Sequence, residues 1–189
     1  MNYLGSCFLT GLITLSGLFA FNSLSRDELT IVNLNIRYDN PEDGKNKWEN
    51  RTPIVRSFFN QSTPDLIGFQ EVTHRQLKNL ETMLPAYGWV GRGRKEGLMG
   101  GEYNPIFYRK DRFKLLENVE FVAENVISAG ATGNGFEENW KERPPDAVDY
   151  IFVNPQFKVR IYQVDKIIEK GVFIADHWPV VAKMAFSSP

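Results

Sequence analysis

A helical pattern lies between two apolar runs of strand length, each ending on a polar side chain, and this order constrains the fold more than any other feature of the chain. The first run, residues 29–36, alternates in character, is rich in β-formers and ends where Asn35 can turn its amide out at the strand edge. Residues 39–44, Asp-Asn-Pro-Glu-Asp-Gly, form a turn cluster. Arg51 to Asn60 then reads as a helix, with Pro53 in its first turn and Ile54, Val55, Phe58 and Phe59 on one apolar face. Pro64-Asp65 breaks that helix and opens the second run, which delivers Glu71 at its end. A strand–helix–strand unit of this kind is how an α/β layer fold begins.

Further along, Thr73 to Leu84 reads as a second helix, with Thr73 as its cap and Leu77, Leu80 and Leu84 at helical spacing. His74 falls in its first turn and reads as a surface histidine. Gly88 to Gly101 is glycine-rich loop, and it lacks the following helix N-terminus that a phosphate cradle needs. Residues 104–109 and 113–121 read as two strands of a hairpin about the Arg109-Lys-Asp-Arg112 turn. The chain is then polar and poorly periodic until Val148, after which residues 149–153, 159–164 and 180–186 supply three more strands.

Two of these late strands begin with groups that can do chemistry. Asp149 opens Asp-Tyr-Ile-Phe-Val153, and Asp176-His177 opens Trp178-Pro-Val-Val-Ala182. A carboxylate that orients a histidine tautomer is a recurring device in hydrolytic sites, and the chain has only two histidines to choose from. By spacing alone, Asp176-His177 reads rather as a polar turn before a buried strand.

The five strand-end motifs taken together resemble the endonuclease/exonuclease/phosphatase superfamily, in that family's order. They are the 29–38 strand ending in Asn35-Ile-Arg37-Tyr38, the Gln70-Glu71 strand end, Asn104 to Arg109, Asp149 to Val153, and Asp176-His177-Trp-Pro-Val180. The likeness spans roughly residues 29–121 and 126–186, and Trp48-Glu-Asn-Arg51 brings it nearest to secreted-type members. The resemblance implies an α/β fold: a two-sheet β-sandwich flanked by helices in four layers, α/β/β/α. It implies a metal-dependent hydrolase of phosphate esters, a phosphodiesterase, nuclease or phosphatase, using Mg²⁺ with Mn²⁺ as the substitute. Glu71 matches the metal-holding glutamate, Asp176 the aspartate near the metal, and Asn35 the amide that positions the metal or its water. His177 matches the imidazole that contacts the scissile phosphate, and Asp149 the carboxylate that orients it.

The sequence also departs from the family. A Thr-His strand end and a Gly-Asp-x-Asn strand end, expected between the Tyr-Arg and Asp-Tyr-Ile-Phe-Val strands, do not occur in it. Residues 130–136, Gly-Ala-Thr-Gly-Asn-Gly-Phe, look like the stretch that follows Gly-Asp-x-Asn. A junction near residues 121–126 is inferred, at which on the order of 80–100 residues of the family fold are absent and the fold is left incomplete. Loss of a general base costs about 10²–10⁴-fold, so this form is expected to have low or no activity. Missing interior strands would leave sheet edges and apolar surface uncovered, so low solubility is expected as well. The alternatives are a non-catalytic secreted binding protein and a non-functional truncated gene product.

Composition narrows the partners. A formal net charge of −1 provides no global basic field for a long duplex, so a phosphorylated small molecule or a modest phosphodiester fits better. With 42% hydrophobic residues and 14 Phe, the chain carries enough apolar mass for one globular core. Residues 1–25 read as a secretory leader or anchor and 26–189 as the domain. The uncharged run from Cys7 to Phe21 is shorter than the ~20 residues of a comfortable membrane span. Its Cys7 is the chain's single cysteine, so a cleaved product would hold no disulfide. The sequons at Asn50 and Asn60 are compatible with a secretory route, although Pro53 disfavours the first.

Overall fold

The computed structural model describes residues 12–14, 19–21, 28–91, 93, 101–116, 126–127, 132–137 and 149–187. In chain order these form β1 (Leu12–Thr14), β2 (Phe19–Phe21), β3 (Glu28–Asn35), α1 (Trp48–Ser62), β4 (Leu66–Gln70), α2 (His74–Met83) and β5 (Tyr87–Val90). There follow β6 (Ile106–Arg109), β7 (Phe113–Leu115), β8 (Val126–Ile127), β9 (Tyr150–Phe152), β10 (Phe157–Val164), β11 (Ile168–Glu169), β12 (Val172–Phe173) and β13 (Val180–Phe186).

A six-stranded mixed sheet in the order β10-β13-β3-β4-β6-β5 organises the domain. Only β3 and β4 run parallel, as a strand pair joined through a crossover helix must. Alternation along the strands sends side chains to two different cores. Val32, Leu34, Ile67, Phe69, Phe107 and Val181 meet α1 and α2 through Ile54, Val55, Phe59, Leu77 and Leu80. Leu29, Ile31, Leu66, Val180, Ala182 and Met184 face the other way, onto Phe113 and Ile151. Ile151 belongs to a three-stranded sheet, β1-β9-β8, and Phe113 to the pair β2-β7, so both of these pack on the second face through those residues. The result is the α/β sandwich expected from the motifs, with both described α-helices packed on one side.

Several expectations are corrected in detail. Strand β6 does not form a hairpin with the 113–121 segment: β4 and β5 occupy both of its edges, leaving none free. The chain instead crosses to the other layer. On the way Arg112 pairs with Asp65 next to the start of β4, Phe113 is buried in the second core, and β7 pairs with β2. Residues 12–14, within the run read as a leader, pair in parallel with β9. Helix α1 begins at Trp48 rather than Arg51, because Trp48 is 1% exposed and belongs to the core, so Pro53 lies inside the helix. Tyr87–Val90 is a strand and not loop; Gly88 suits it because a Cβ there would lie 2.6 Å from the Tyr108 ring. Thr73 caps α2 as expected, and the structure adds a capping box in which Gln76 is the reciprocal partner. The inferred junction near 121–126 falls largely outside the described residues.

Candidate active site

Parallel neighbours end side by side, and β3 and β4 therefore carry Asn35 and Glu71 to one sheet edge. The Asn35 Nδ2 group donates to Glu71 Oε1 at 2.9 Å, and the Tyr38 amide donates to Glu71 Oε2 at 3.3 Å. Asn35 Oδ1 accepts the Arg37 amide at 3.1 Å. Both strand tips turn through left-handed backbone, with φ of 59° at Arg37 and 58° at Glu71. Non-glycine residues hold that conformation only where their surroundings over-determine it, and such positions cluster at functional sites.

At the β3 tip the restraint is a buried arginine. Arg51 is 0% exposed and donates to the carbonyls of Asn46 (2.6 Å), Ile36, Arg37 (3.2 Å) and Ile174 (3.4 Å). Gln76, also fully buried, donates to the Arg37 carbonyl at 2.8 Å. One guanidinium thus ties the β3 tip, the 41–46 turn and the segment that precedes Asp176. Burial pushes its pKa down to about 10.

Residues 174–178 arrive at the same edge between β12 and β13. The Arg37 guanidinium, paired through both arms with Asp43, reaches Asp176 Oδ2 at 3.6 Å. Asp176 Oδ1 is buried without a hydrogen-bond partner among the described residues. Burial pushes the Asp176 carboxyl above its ordinary range, and the nearby Glu71 charge adds to the rise. His177 Nδ1 lies 2.7 Å from Asp149 Oδ2, with Asp149 1% exposed and His177 16%. Burial acts to lower the His177 pKa, but the Asp149 bond together with the charges of Asp149, Asp176 and Glu71 carries it above 6.5.

All five residues singled out in the sequence therefore meet: Asn35 bonds Glu71, Asp149 bonds His177, and Asp176 interacts electrostatically with both Glu71 and His177. His74 lies against Tyr103, whose hydroxyl is 3.5 Å from Nδ1. Four further participants, Arg37, Arg51, Thr132 and Asn134, lie in stretches quoted from the sequence but carried no assigned role there. Arg51 looked like a helix start and Arg37 like a strand end, since neither has a local pattern that signals its partners. Thr132 and Asn134 lie in a polar stretch without periodicity, yet the Trp178 amide donates to the Thr132 carbonyl at 2.7 Å and Asn134 Nδ2 donates to the Ala175 carbonyl at 3.2 Å.

Among the described residues, no group of three or more His, Cys, Asp or Glu side chains is placed to hold a metal ion. The oxygen donors present are the Glu71 and Asp176 carboxylates beside the Asn35 amide. An unpartnered, buried Asp176 oxygen and a carboxyl destabilised by its neighbour's charge are what a cation would relieve. Two carboxylates suit a hard divalent ion that keeps several of its waters.

Solved structures share this arrangement of layers. An endonuclease/exonuclease/phosphatase protein from Bacteroides vulgatus aligns with a TM-score of 0.73 at 22% identity, over 85% of this chain and 99% of that one. The chain has the endonuclease/exonuclease/phosphatase fold. The same fold aligns with a mannosyl-6-phosphatase of Bacteroides thetaiotaomicron at a TM-score of 0.69 and 18% identity, over 84% and 100% of the two chains. It also aligns with Danio rerio TDP2, solved with a single-strand DNA product, at a TM-score of 0.55 and 11% identity, over 84% and 99%. No family model and no curated protein sequence matches the chain. At the strand edge of this fold, Asn35, Glu71, Asp176 and the Asp149–His177 pair are drawn from four separate stretches of sequence. No helix among the described residues is long and apolar enough to cross a membrane.

Proposed function

We propose that this chain carries a phosphoester hydrolase site of the endonuclease/exonuclease/phosphatase type. Its substrate would be a phosphorylated small molecule or a short phosphodiester, and its turnover in this form low or absent. The observation that carries the reading is the buried 2.7 Å contact of His177 with Asp149, beside the bonded Asn35–Glu71 pair. The solved neighbours named for a mannosyl-6-phosphatase and for TDP2 support the same class of chemistry.

Glu71 and Asp176 would hold a divalent cation, Mg²⁺ or Mn²⁺, which when bound neutralises charge on phosphoryl oxygens. Asn35 keeps the Glu71 carboxylate aimed, at no cost in reorganisation, because its own carbonyl is anchored on the Arg37 amide. With Nδ1 committed to Asp149, His177 is left with Nε2 to face a substrate, and Asp149 fixes that tautomer. A raised pKa keeps His177 protonated to higher pH than usual, so its Nε2–H can donate to a phosphoryl oxygen.

Low turnover follows from the sequence: the Gly-Asp-x-Asn strand end, whose aspartate would orient or deprotonate the attacking water, does not occur in it. Hydrolysis of bis-(p-nitrophenyl) phosphate and of a sugar phosphate with Mg²⁺ or Mn²⁺ tests the reading, with His177→Ala as control. Weak, His177-dependent hydrolysis is expected. Robust turnover would sink the low-activity part, and turnover indifferent to His177 would sink the site. Mg²⁺ binding by calorimetry without any hydrolysis would favour the alternative, a binding protein. The leader-like composition of the run from Cys7 to Phe21 and the two sequons speak for a secretory route, which N-terminal sequencing of material from a eukaryotic culture medium would test.

A further inference from the structure

Asp149 and His177 belong to different layers of the sandwich. Asp149 leads into β9 of the small sheet, and His177 leads into β13 of the large one. Something has to hold the carboxylate of one layer in register with the imidazole of the other.

Thr132 is completely buried, and its hydroxyl donates to Asp149 Oδ2, the same oxygen that faces His177 Nδ1. The other carboxylate oxygen, Oδ1, is buried and has no hydrogen-bond partner among the described residues. Rotation about the last torsion of an aspartate is soft, so a carboxylate held at one oxygen by one donor can swing. Held at that oxygen by two donors from different directions, it breaks two bonds if it turns. The stiff χ1 of a β-branched residue adds to the restraint.

Thr132 is itself tied to the His177 segment and not to β9. The Trp178 amide donates to its carbonyl at 2.7 Å, and Gly133 bridges His177 in antiparallel fashion. The amides of Asn134 and Gly135 donate to the Asp176 carbonyl at 2.7 and 3.1 Å. Residues 132–135 therefore run as a short clamp along residues 175–178, and the Thr132 hydroxyl travels with the imidazole.

We infer that Thr132 is a positioning residue for this pair: its hydroxyl docks the Asp149 carboxylate onto the His177-bearing segment and selects the oxygen that meets Nδ1. The catalytic consequence rests on the role given to His177 under Proposed function. The geometric claim does not need it.

The test is proton–nitrogen NMR of the full chain labelled at histidine and threonine, at one fixed pH without added metal. An imidazole N–H bonded to a carboxylate resonates far downfield, and in the unsubstituted protein that His177 Nδ1 proton is expected to show a cross-peak to a slowly exchanging Thr132 hydroxyl proton. Thr132→Val removes the donor at nearly constant volume and should abolish the downfield resonance or move it well upfield. Thr132→Ser keeps the donor and should restore it, with the Trp178 amide unshifted in both variants. Retention of the resonance in Thr132→Val would overturn the inference. If that variant does not fold, absence of the hydroxyl cross-peak in the unsubstituted chain would overturn it instead. Where hydrolysis is measurable, Thr132→Val should lower it about tenfold or more while Thr132→Ser retains it. An intact, Thr132-dependent resonance in a chain with no phosphoesterase activity leaves the inference standing and counts against the proposed function alone.

Discussion

The two faces of the large sheet are built in opposite ways. On one, α1 and α2, of 15 and 10 residues, lay continuous apolar stripes over β3, β4 and β6. On the other, the cover among the described residues consists of strands of two or three residues, β1, β2, β7, β8 and β9, drawn from far apart in the chain. Long elements secure their own register through many local contacts, whereas each short strand depends on partners of high sequence separation. The site spans this divide. Asn35 and Glu71 sit at the tips of strands on the well-covered sheet, and Asp149 is supplied by the thinly covered layer. The carboxylate–imidazole contact is thus an inter-layer contact as much as a chemical one.

The sharpest way to break the comparison is to hollow each face. Phe69→Ala, beneath the helices in a train of edge-on rings with Phe59 and Phe107, should cost about 3–5 kcal/mol in urea unfolding. Ile151→Ala, fully buried on the other face, should cost about 2 kcal/mol, the low end for such truncations, because short strands can close around the gap. Its signature should be a displaced His177 Nδ1 proton resonance, which Phe69→Ala should leave in place. Equal costs with no change at His177 would mean that the two faces are equally rigid.

A pH series sharpens the contrast. The folded-state pKa of His177 is raised, so its contribution to stability is fully present below about 6.5 and is lost as pH rises through the raised value. Asp149→Asn removes the bond and charge that oppose burial, so thermal melting between neutral and mildly alkaline pH should lose that slope. Asp176, raised by burial, contributes in a separate acid window. Its effect is fully present below about 3.8 and is lost as pH rises through its own raised value. The smallest effect should come from the helical face: Thr73→Ala removes the capping box of α2 and costs about 1 kcal/mol, roughly 2–4 °C in melting temperature. A cost there exceeding that of Ile151→Ala would reverse the ranking of the two layers.

What could be read in advance follows the range of the forces involved. Periodicity and caps act within a few residues, so β3, α2 and β13 are legible from the sequence, as are the strand ends that present Asn35, Glu71, Asp149 and Asp176-His177. Helix α1 was legible in kind but not in length, because the residue that starts it, Trp48, is recruited by the core and not by a local cap. The supposed hairpin after β6 failed for a related reason, since adjacency in sequence says nothing of whether a strand's edges are already taken.

The sequence by itself determined the α/β character, the order of the strand ends and the identity of the polar groups at them. Tertiary structure alone decided that Arg51 would tie three segments through four carbonyls, that Arg37 would reach Asp176, and that Thr132 would share one oxygen of Asp149 with His177. Apart from the local Arg51–Asn46 bond, those contacts join residues from 14 positions apart, Arg51 to Arg37, up to the span from Arg37 to Asp176, and a contact over such separations exists only once the segments that carry its two ends have packed.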